Sequence, residues 1–239
     1  MAQALVPLKD LVQAKSRLAG LLRPSERRAL AQAMVEDVLS VLSHHPDIDR
    51  VTLVSDDPGA GLLANEYAID YLAENTLGCR GLNAVVQLVS TRLLVDSDDT
   101  LVVLHGDLPL LTGEDISAVL HCQRQLGGLV IGCDQLGAGT NLLAFTAESA
   151  PRFCFGVDSC ANHLASARNA GVPVQVLRRP GIGLDVDEPA DLQAVMAALD
   201  CDDVGKTSDL LCGSALGARI NLAMATLTDG RDLEKEIVN

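Results

Sequence analysis

The sequence predicts an α/β fold: a mostly parallel sheet with helices on both faces. Two observations predict it. Short runs rich in Val, Ile and Leu recur along the chain, as strands buried on both faces require. Between them lie stretches whose apolar residues return at helical spacing, and strands alternating with helices argue for a parallel sheet.

The elements follow in order. Strands are expected at "ALVPL" (4–8), "RVTLVSD" (50–56), "TLVVLHGD" (100–107), "GLVIGCD" (128–134), "NLLAFT" (141–146) and "VPVQVLR" (172–178). A long helix is expected over 24–45, with Pro24 and Ser25 at its start, and a second over 81–95. The third, 112–125, opens with Thr112 and has Asp115 three residues on, a capping-box start. The fourth, 159–171, begins at Ser159 as N-cap and stops on Gly171. The fifth, 188–200, carries Pro189 in its first turn. Residues 1–200 form one domain on this reading. After Asp200 the chain turns polar and glycine-containing, so 201–239 is set apart as an appendage, with one short helix near "ARINLAMATL".

Composition narrows the function. The net charge of −14 opposes binding to phosphate backbones and anionic lipid, so neither nucleic acid nor membrane is an expected partner. Only 2% of residues are aromatic and Trp is absent, which removes the stacking platforms of single-strand binders. The seven Cys are odd in number and contain no C-x-x-C, so free thiols in a reducing cytoplasm are expected. The first residues lack a signal-peptide layout, and no uncharged apolar run is long enough for a bilayer. A cytoplasmic protein is expected; a homodimer is compatible with all of this.

In open α/β sheets ligands bind beyond the carboxyl ends of the strands. After the first strand, "PLKDLVQAKSRL" holds Lys9, Lys15 and Arg17; two of the chain's four Lys fall there. This cationic island is either a solvated helix start or a grip on polyphosphate. It lacks the spacing of a P-loop. After "TLVVL" comes "HGDLPLL", where Asp107 is either a turn former or a ligand of a divalent cation; His105 is read as a strand residue.

"GLDVDEPADL" (183–192) holds Asp185 and Asp187 two apart. If extended, both project to one face. A helix cap explains one of them; two carboxylates on one face repel unless a cation or proton lies between. With Asp107 they suit magnesium, which takes a few carboxylates and completes its shell with water and phosphates. "GAGTNLL" places Thr140 after small residues whose amides can approach an anion, and "FGVDSCANHL" places Gly156 ahead of the helix start at Ser159, where anions bind.

Together "VPLKDLVQAKSRLAGLL", "GLN" (81–83), "HGDLPLL", "GTNLL", "FGVDSCANHLA" and "GLDVDEPADL" resemble the 2-phospho-L-lactate guanylyltransferase family, a branch of the A-type, Rossmann-like nucleotidyltransferases serving coenzyme F-420 biosynthesis. The resemblance spans roughly residues 1–200. It implies transfer of GMP from GTP to phosphoenolpyruvate, 2-phospho-L-lactate or 3-phospho-D-glycerate, with release of pyrophosphate. It implies Mg2+ on Asp107, Asp185 and Asp187, GTP on Lys9, Lys15, Arg17, Gly81, Leu82 and Asn83, and the acceptor on Thr140, Gly156 and Ser159. Lys15, Arg17 and Asp107 are the implied catalytic residues. Cys160 and Asn162 depart from typical members. The rival readings are a nucleotidyltransferase for a molybdenum cofactor or a sugar phosphate, a glycosyltransferase of similar architecture, and an inactive nucleotide-binding module.

Overall fold

A computed structural model describes residues 1–9, 11, 14–95, 97–201 and 204–225. Seven strands form one sheet: β1 (Ala2–Leu8), β2 (Ile48–Ser55), β3 (Asp70–Ala73), β4 (Thr100–Leu104), β5 (Leu129–Cys133), β6 (Thr140–Phe145) and β7 (Val174–Leu177). Their order is β3-β2-β1-β4-β6-β5-β7. Every neighbouring pair is parallel except those of β6, which runs antiparallel to both β4 and β5.

Helices α1 (Pro24–Ser43), α2 (Ala60–Glu66) and α4 (Gly113–Leu126) cover one face, and α3 (Leu82–Leu93) and α5 (Ser159–Asn169) the other. The strands feed both layers because alternate side chains point oppositely. Ala4 and Val6 of β1 join Val35, Val38 and Leu39 of α1, whereas Leu5 joins Val85 and Val89 of α3. All of these are buried, so the central strands read as unbroken apolar runs.

The six expected strands are present, shifted by up to three residues at their ends. β4 stops at Leu104, so His105 and Asp107 lie beyond it rather than within it. Four short elements were not expected: β3, a four-residue edge strand with two exposed positions, the seven-residue α2, α6 (Pro180–Gly183) and α8 (Lys206–Leu211). The expected helix start at Ser159 moves by one residue. Asp158 is the N-cap, in a left-handed conformation, and the Ser159 hydroxyl is spent elsewhere. Thr112 and Asp115 do form the expected capping box.

A third apolar cluster lies off the carboxyl edge of the sheet. It joins Leu11 and Leu18 from the loop after β1, Leu30 and Met34 of α1, Val186, and Leu192 and Val195 of α7 (Pro189–Ala198). Leu211 of α8 (Lys206–Leu211) and Ile220 and Met224 of the helical stretch 215–225 complete it. Residues 204–225 of the compositionally distinct tail thus pack on the site-bearing loops; 226–239 lie outside the described residues. The expectation of free thiols fails at Cys201 and Cys212, which form a disulfide with their Cα atoms 5.5 Å apart. The tail's own turn brings them together, and neither spacing nor parity announced it.

The short helix α6 (Pro180–Gly183) delivers the chain from β7 to Asp185. It is pinned by Arg179, whose Nε donates to Asp115 Oδ1 at 2.5 Å. A Cβ on Gly181 would collide with the Asp115 carboxylate and lie 2.5 Å from the Leu110 carbonyl oxygen. Gly181→Ala is expected to cost about 2 kcal/mol or more in urea unfolding, because a backbone atom cannot yield to the new methyl.

Candidate active site

The strand order reverses between β1 and β4, the switch point where open α/β sheets open a crevice. The loop after β1 and the segment after β4 flank it. The antiparallel direction of β6 adds a third wall: its first residues lie beside the last residues of β4, with Leu142 opposite Leu104. Thr140 and Asn141 therefore reach the same end of the sheet as Asp107. The His105 N–H donates to the Asn141 carbonyl at 3.0 Å and ties the two segments.

Lys15 is the centre of the arrangement. Its Nζ donates to Asp107 Oδ2 at 2.5 Å and to Asp187 Oδ1 at 3.1 Å. Its side chain is only 7% exposed, although the residue sits in an exposed loop. Lys15 adopts a left-handed backbone conformation (φ 56°, ψ 40°), which turns the side chain into the crevice. Such strain in a non-glycine residue persists only where surrounding contacts enforce it. Leu11 and Leu18, buried on either side in sequence, supply them. The Asp57 carboxylate, itself buried, accepts the Leu11 N–H at 2.9 Å.

The electrostatics follow from this geometry. Burial alone would lower the Lys15 pKa, but Asp107 and Asp187 outweigh it and raise it above the usual lysine value. Burial alone would raise Asp107, but Lys15 and His105 outweigh it, so its carboxyl is held below the ordinary range. Both groups stay charged at neutral pH. Asp185 moves the other way: burial raises it, Asn141 opposes, and the nearby charges of Asp107 and Asp187 add to the rise. Asp185 thus lies within electrostatic reach of both Asp107 and Asp187.

Asp185 and Asp187 flank Val186, which is fully buried in the third apolar cluster. The 184–187 segment makes no sheet pairing. The buried Val186 anchors it, while the half-buried Asp185 turns to Asn141 and the exposed Asp187 to Lys15. The cap of α7 is formed by others: Asp191 accepts the N–H groups of Asp187 at 3.1 Å and Glu188 at 2.8 Å. The Asp187 carboxylate is thus not consumed as a cap and turns to Lys15. Arg17 reaches Glu188 at 3.2 Å on the exposed rim. Lys9 is exposed and forms no ion pair with the described residues.

The remaining candidates are placed as follows. Gly81 is the N-cap of α3 with φ 87°, a conformation that favours glycine, and Leu82 is the first helical residue. Asn83 clamps the turn before Gly156: its Oδ1 accepts the Phe155 N–H at 2.7 Å and its Nδ2 donates to the Phe155 carbonyl at 3.1 Å. Gly156 has φ 128°. Ser159 Oγ accepts the Thr140 N–H at 2.8 Å, joining α5 to β6. Asn162 donates to the Val157 carbonyl and shapes the same turn.

Three residues that sequence reasoning did not single out belong to this site. Asn141, buried next to Thr140, donates to Asp185 Oδ1 at 3.0 Å and to the Ile182 carbonyl at 2.9 Å. Asp57 fixes the cationic loop. His163 is buried against Thr140. A polar side chain inside an apolar strand was the available signal for Asn141; the other two carried none.

Residues 2–206 match the family described as guanylyl transferase CofC like. The chain belongs to that family. Its sequence is 39% identical over 199 residues to a phosphoenolpyruvate guanylyltransferase from Conexibacter woesei, covering 80% of this chain and 86% of that one. It is 36% identical over 207 residues to one from Sphaerobacter thermophilus, covering 86% and 96%. Among solved structures, it resembles a protein from Desulfovibrio desulfuricans G20 described as a nucleotide-diphospho-sugar transferase, with a TM-score of 0.77 at 19% identity over 92% of this chain and 97% of that one. It also resembles 4-diphosphocytidyl-2C-methyl-D-erythritol synthase, with a TM-score of 0.57 at 15% identity over 83% and 98%. These two likenesses concern the fold, a nucleotidyltransferase-like α/β domain. As a CofC-like guanylyl transferase the chain is an enzyme that transfers a nucleotidyl group, which sets aside the glycosyltransferase and inactive-module readings. Among its described residues no helix is long and apolar enough to cross a membrane.

The clamp on Phe155 gives a direct test of what Asn83 does. Asn83→Ala is expected to cost about 1–3 kcal/mol in chemical denaturation, by leaving the Phe155 N–H and C=O without partners. Faster hydrogen exchange at Phe155 is expected with it.

Proposed function

We propose that this enzyme transfers GMP from GTP to phosphoenolpyruvate and releases pyrophosphate, in the cytoplasm and in service of coenzyme F-420 assembly. The observation that carries the reading is the pairing of an ion-paired Lys15–Asp107–Asp187 centre with two buried hydroxyls, Thr140 and Ser159, at the same end of the sheet. The names borne by the curated relatives favour phosphoenolpyruvate over 2-phospho-L-lactate and 3-phospho-D-glycerate.

The chemistry needs no side-chain nucleophile. The second pKa of a phosphate monoester is about 6, so the acceptor is mostly dianionic at neutral pH. One of its phosphate oxygens attacks the α-phosphorus of GTP, a new P–O bond forms, and the bond to the departing pyrophosphate breaks. No proton has to be removed first. The obstacle is repulsion between two polyanions in a strongly acidic protein. Lys15, with Arg17 and Lys9 on the rim, steadies the pyrophosphate as charge moves onto it. Thr140, Ser159 and the turn at Gly156 hold the acceptor in line. Gly81 and Asn83 border the nucleoside; with the Asn83 amide spent on Phe155, its part is to shape that wall.

Asp107, Asp185 and Asp187 would hold magnesium. The donor set is oxygen only, as a hard cation requires. Among the described residues no three His, Cys, Asp or Glu side chains are gathered closely enough to hold an ion unaided. Nucleotide phosphates and water would complete its shell. When bound, the ion would screen the repulsion and polarise the transferring phosphoryl group.

Magnesium and GTP with each of the three acceptors, read by pyrophosphate release, test the function. Turnover with phosphoenolpyruvate is expected; turnover only with another acid would reassign the acceptor, and none with any would remove the reading. Asp107→Asn is expected to lose at least about a hundredfold in kcat in protein that circular dichroism shows to be folded. Lys15→Ala is expected to raise the GTP KM about tenfold; an unchanged value would leave Lys15 with a purely structural task.

A further inference from the structure

His163 lies on α5 and is fully buried. Its Nε2 accepts the backbone N–H of Cys154 at 2.8 Å. A nitrogen that accepts from an amide cannot itself carry a proton, so the ring proton of the neutral imidazole sits on Nδ1. Nδ1 stands 3.1 Å from Thr140 Oγ1. The ring therefore donates and the Thr140 oxygen accepts. Edge-on contact with Phe155, ring centroids 5.1 Å apart, fixes the plane of the imidazole. Burial pushes the His163 pKa down to about 4, opposed by the Ser159 carbonyl and reinforced by His105, which agrees with a neutral ring in this geometry.

The same logic holds at Ser159. Its Oγ accepts the Thr140 N–H, so one of its two lone pairs is engaged and its own hydrogen is left to donate. Among the described residues neither hydroxyl hydrogen has an acceptor. A free hydroxyl can rotate to donate or to accept. Here one incoming N–H fills one of the two lone pairs on each oxygen and turns the hydroxyl hydrogen away from that donor, toward any anion on the other side.

We propose that His163 is a positioning residue for the acceptor: by donating to Thr140 it commits that hydroxyl to donate, in parallel with Ser159, to an anionic ligand. This rests on the proposed acceptor site and deepens it. A carboxylate or phosphate dianion offers only acceptor atoms, so each group facing it must donate. The device selects a doubly anionic acid over a neutral alcohol or sugar hydroxyl of similar size.

The test uses the full chain with GTP and phosphoenolpyruvate. His163→Phe keeps the ring and its contact with Phe155 but removes both nitrogens. It is expected to raise the phosphoenolpyruvate KM about tenfold while the GTP KM stays within about twofold. Equal rises for both substrates, or no rise for either, would overturn the proposal. Thr140→Val separates the two layers of the inference. If Thr140→Val leaves the phosphoenolpyruvate KM unchanged, the acceptor site itself is misassigned. If it raises that KM and His163→Phe does not, His163 alone is removed from the account. In the double variant His163→Phe should add nothing to Thr140→Val, because the only route of its action is gone; an additive effect would contradict the proposal. Should His163→Phe fail to fold, the wild-type protein still decides. Nitrogen-15 NMR should show the ring in contact with the Cys154 amide, His163, protonated at Nδ1 and neutral down to about pH 5; that same ring protonated at Nε2 would overturn the assignment. His45, whose Nδ1 accepts the Asp47 N–H, is the buried ring expected to carry its proton on Nε2.

Discussion

One ammonium group between two carboxylates organises this molecule. Lys15 comes from the loop after β1, Asp107 from the turn after β4, and Asp187 from the segment after β7 and α6. Without a cation among them these acids would force their segments apart, and with one they are drawn to the switch point of the sheet. Removing one partner would leave a charge uncompensated in a half-buried crevice, which is costlier than never burying the pair. One ammonium against two carboxylates leaves net negative charge, so attraction and repulsion are in close balance and a polyanion can compete for Lys15 only by bringing a cation of its own.

That balance depends on apolar packing some distance from the charges. Leu18 of the cationic loop and Val186 of the acidic segment lie in the same buried cluster, closed by α7, α8 and residues 215–225. The cluster sets the separation of Lys15 and Asp187 as a core sets the spacing of its elements. The described residues 204–225 of the tail are therefore coupled to the site through packing. On the opposite wall, β6 reverses the direction of its neighbours and so carries Thr140 and Asn141 into a crevice that parallel strands would have left to their carboxyl ends alone.

The sequence was most legible where physics is local. Six strands show as apolar runs and five helices as periodic stretches with recognisable starts, and the acids and lysines at strand ends stand out because their surroundings are apolar. The direction of β6 was not legible, since a strand buried on both faces looks the same either way round. β3 is too short and too exposed to stand out from a loop. Asn83, read by resemblance as bordering the nucleoside, holds the Phe155 backbone, and that pairing exists only once α3 and the 153–158 turn meet. Asp57, Asn141 and His163 were missed for the same reason: each is a single polar residue whose meaning is its distant partner. The resemblance carried the identity of the chemistry, which no spacing of acids and lysines specifies alone.

The convergence of these acids on a shared cation is tested most directly by ion uptake rather than turnover. Manganese titrated into the full chain with a non-hydrolysable GTP analogue, followed by loss of the free-ion EPR signal, reads the site without chemistry. Binding in the wild-type protein, weakened about tenfold or more by Asp107→Asn and again by Asp187→Asn, is the expected result. Equal uptake by the wild type and both variants would contradict it.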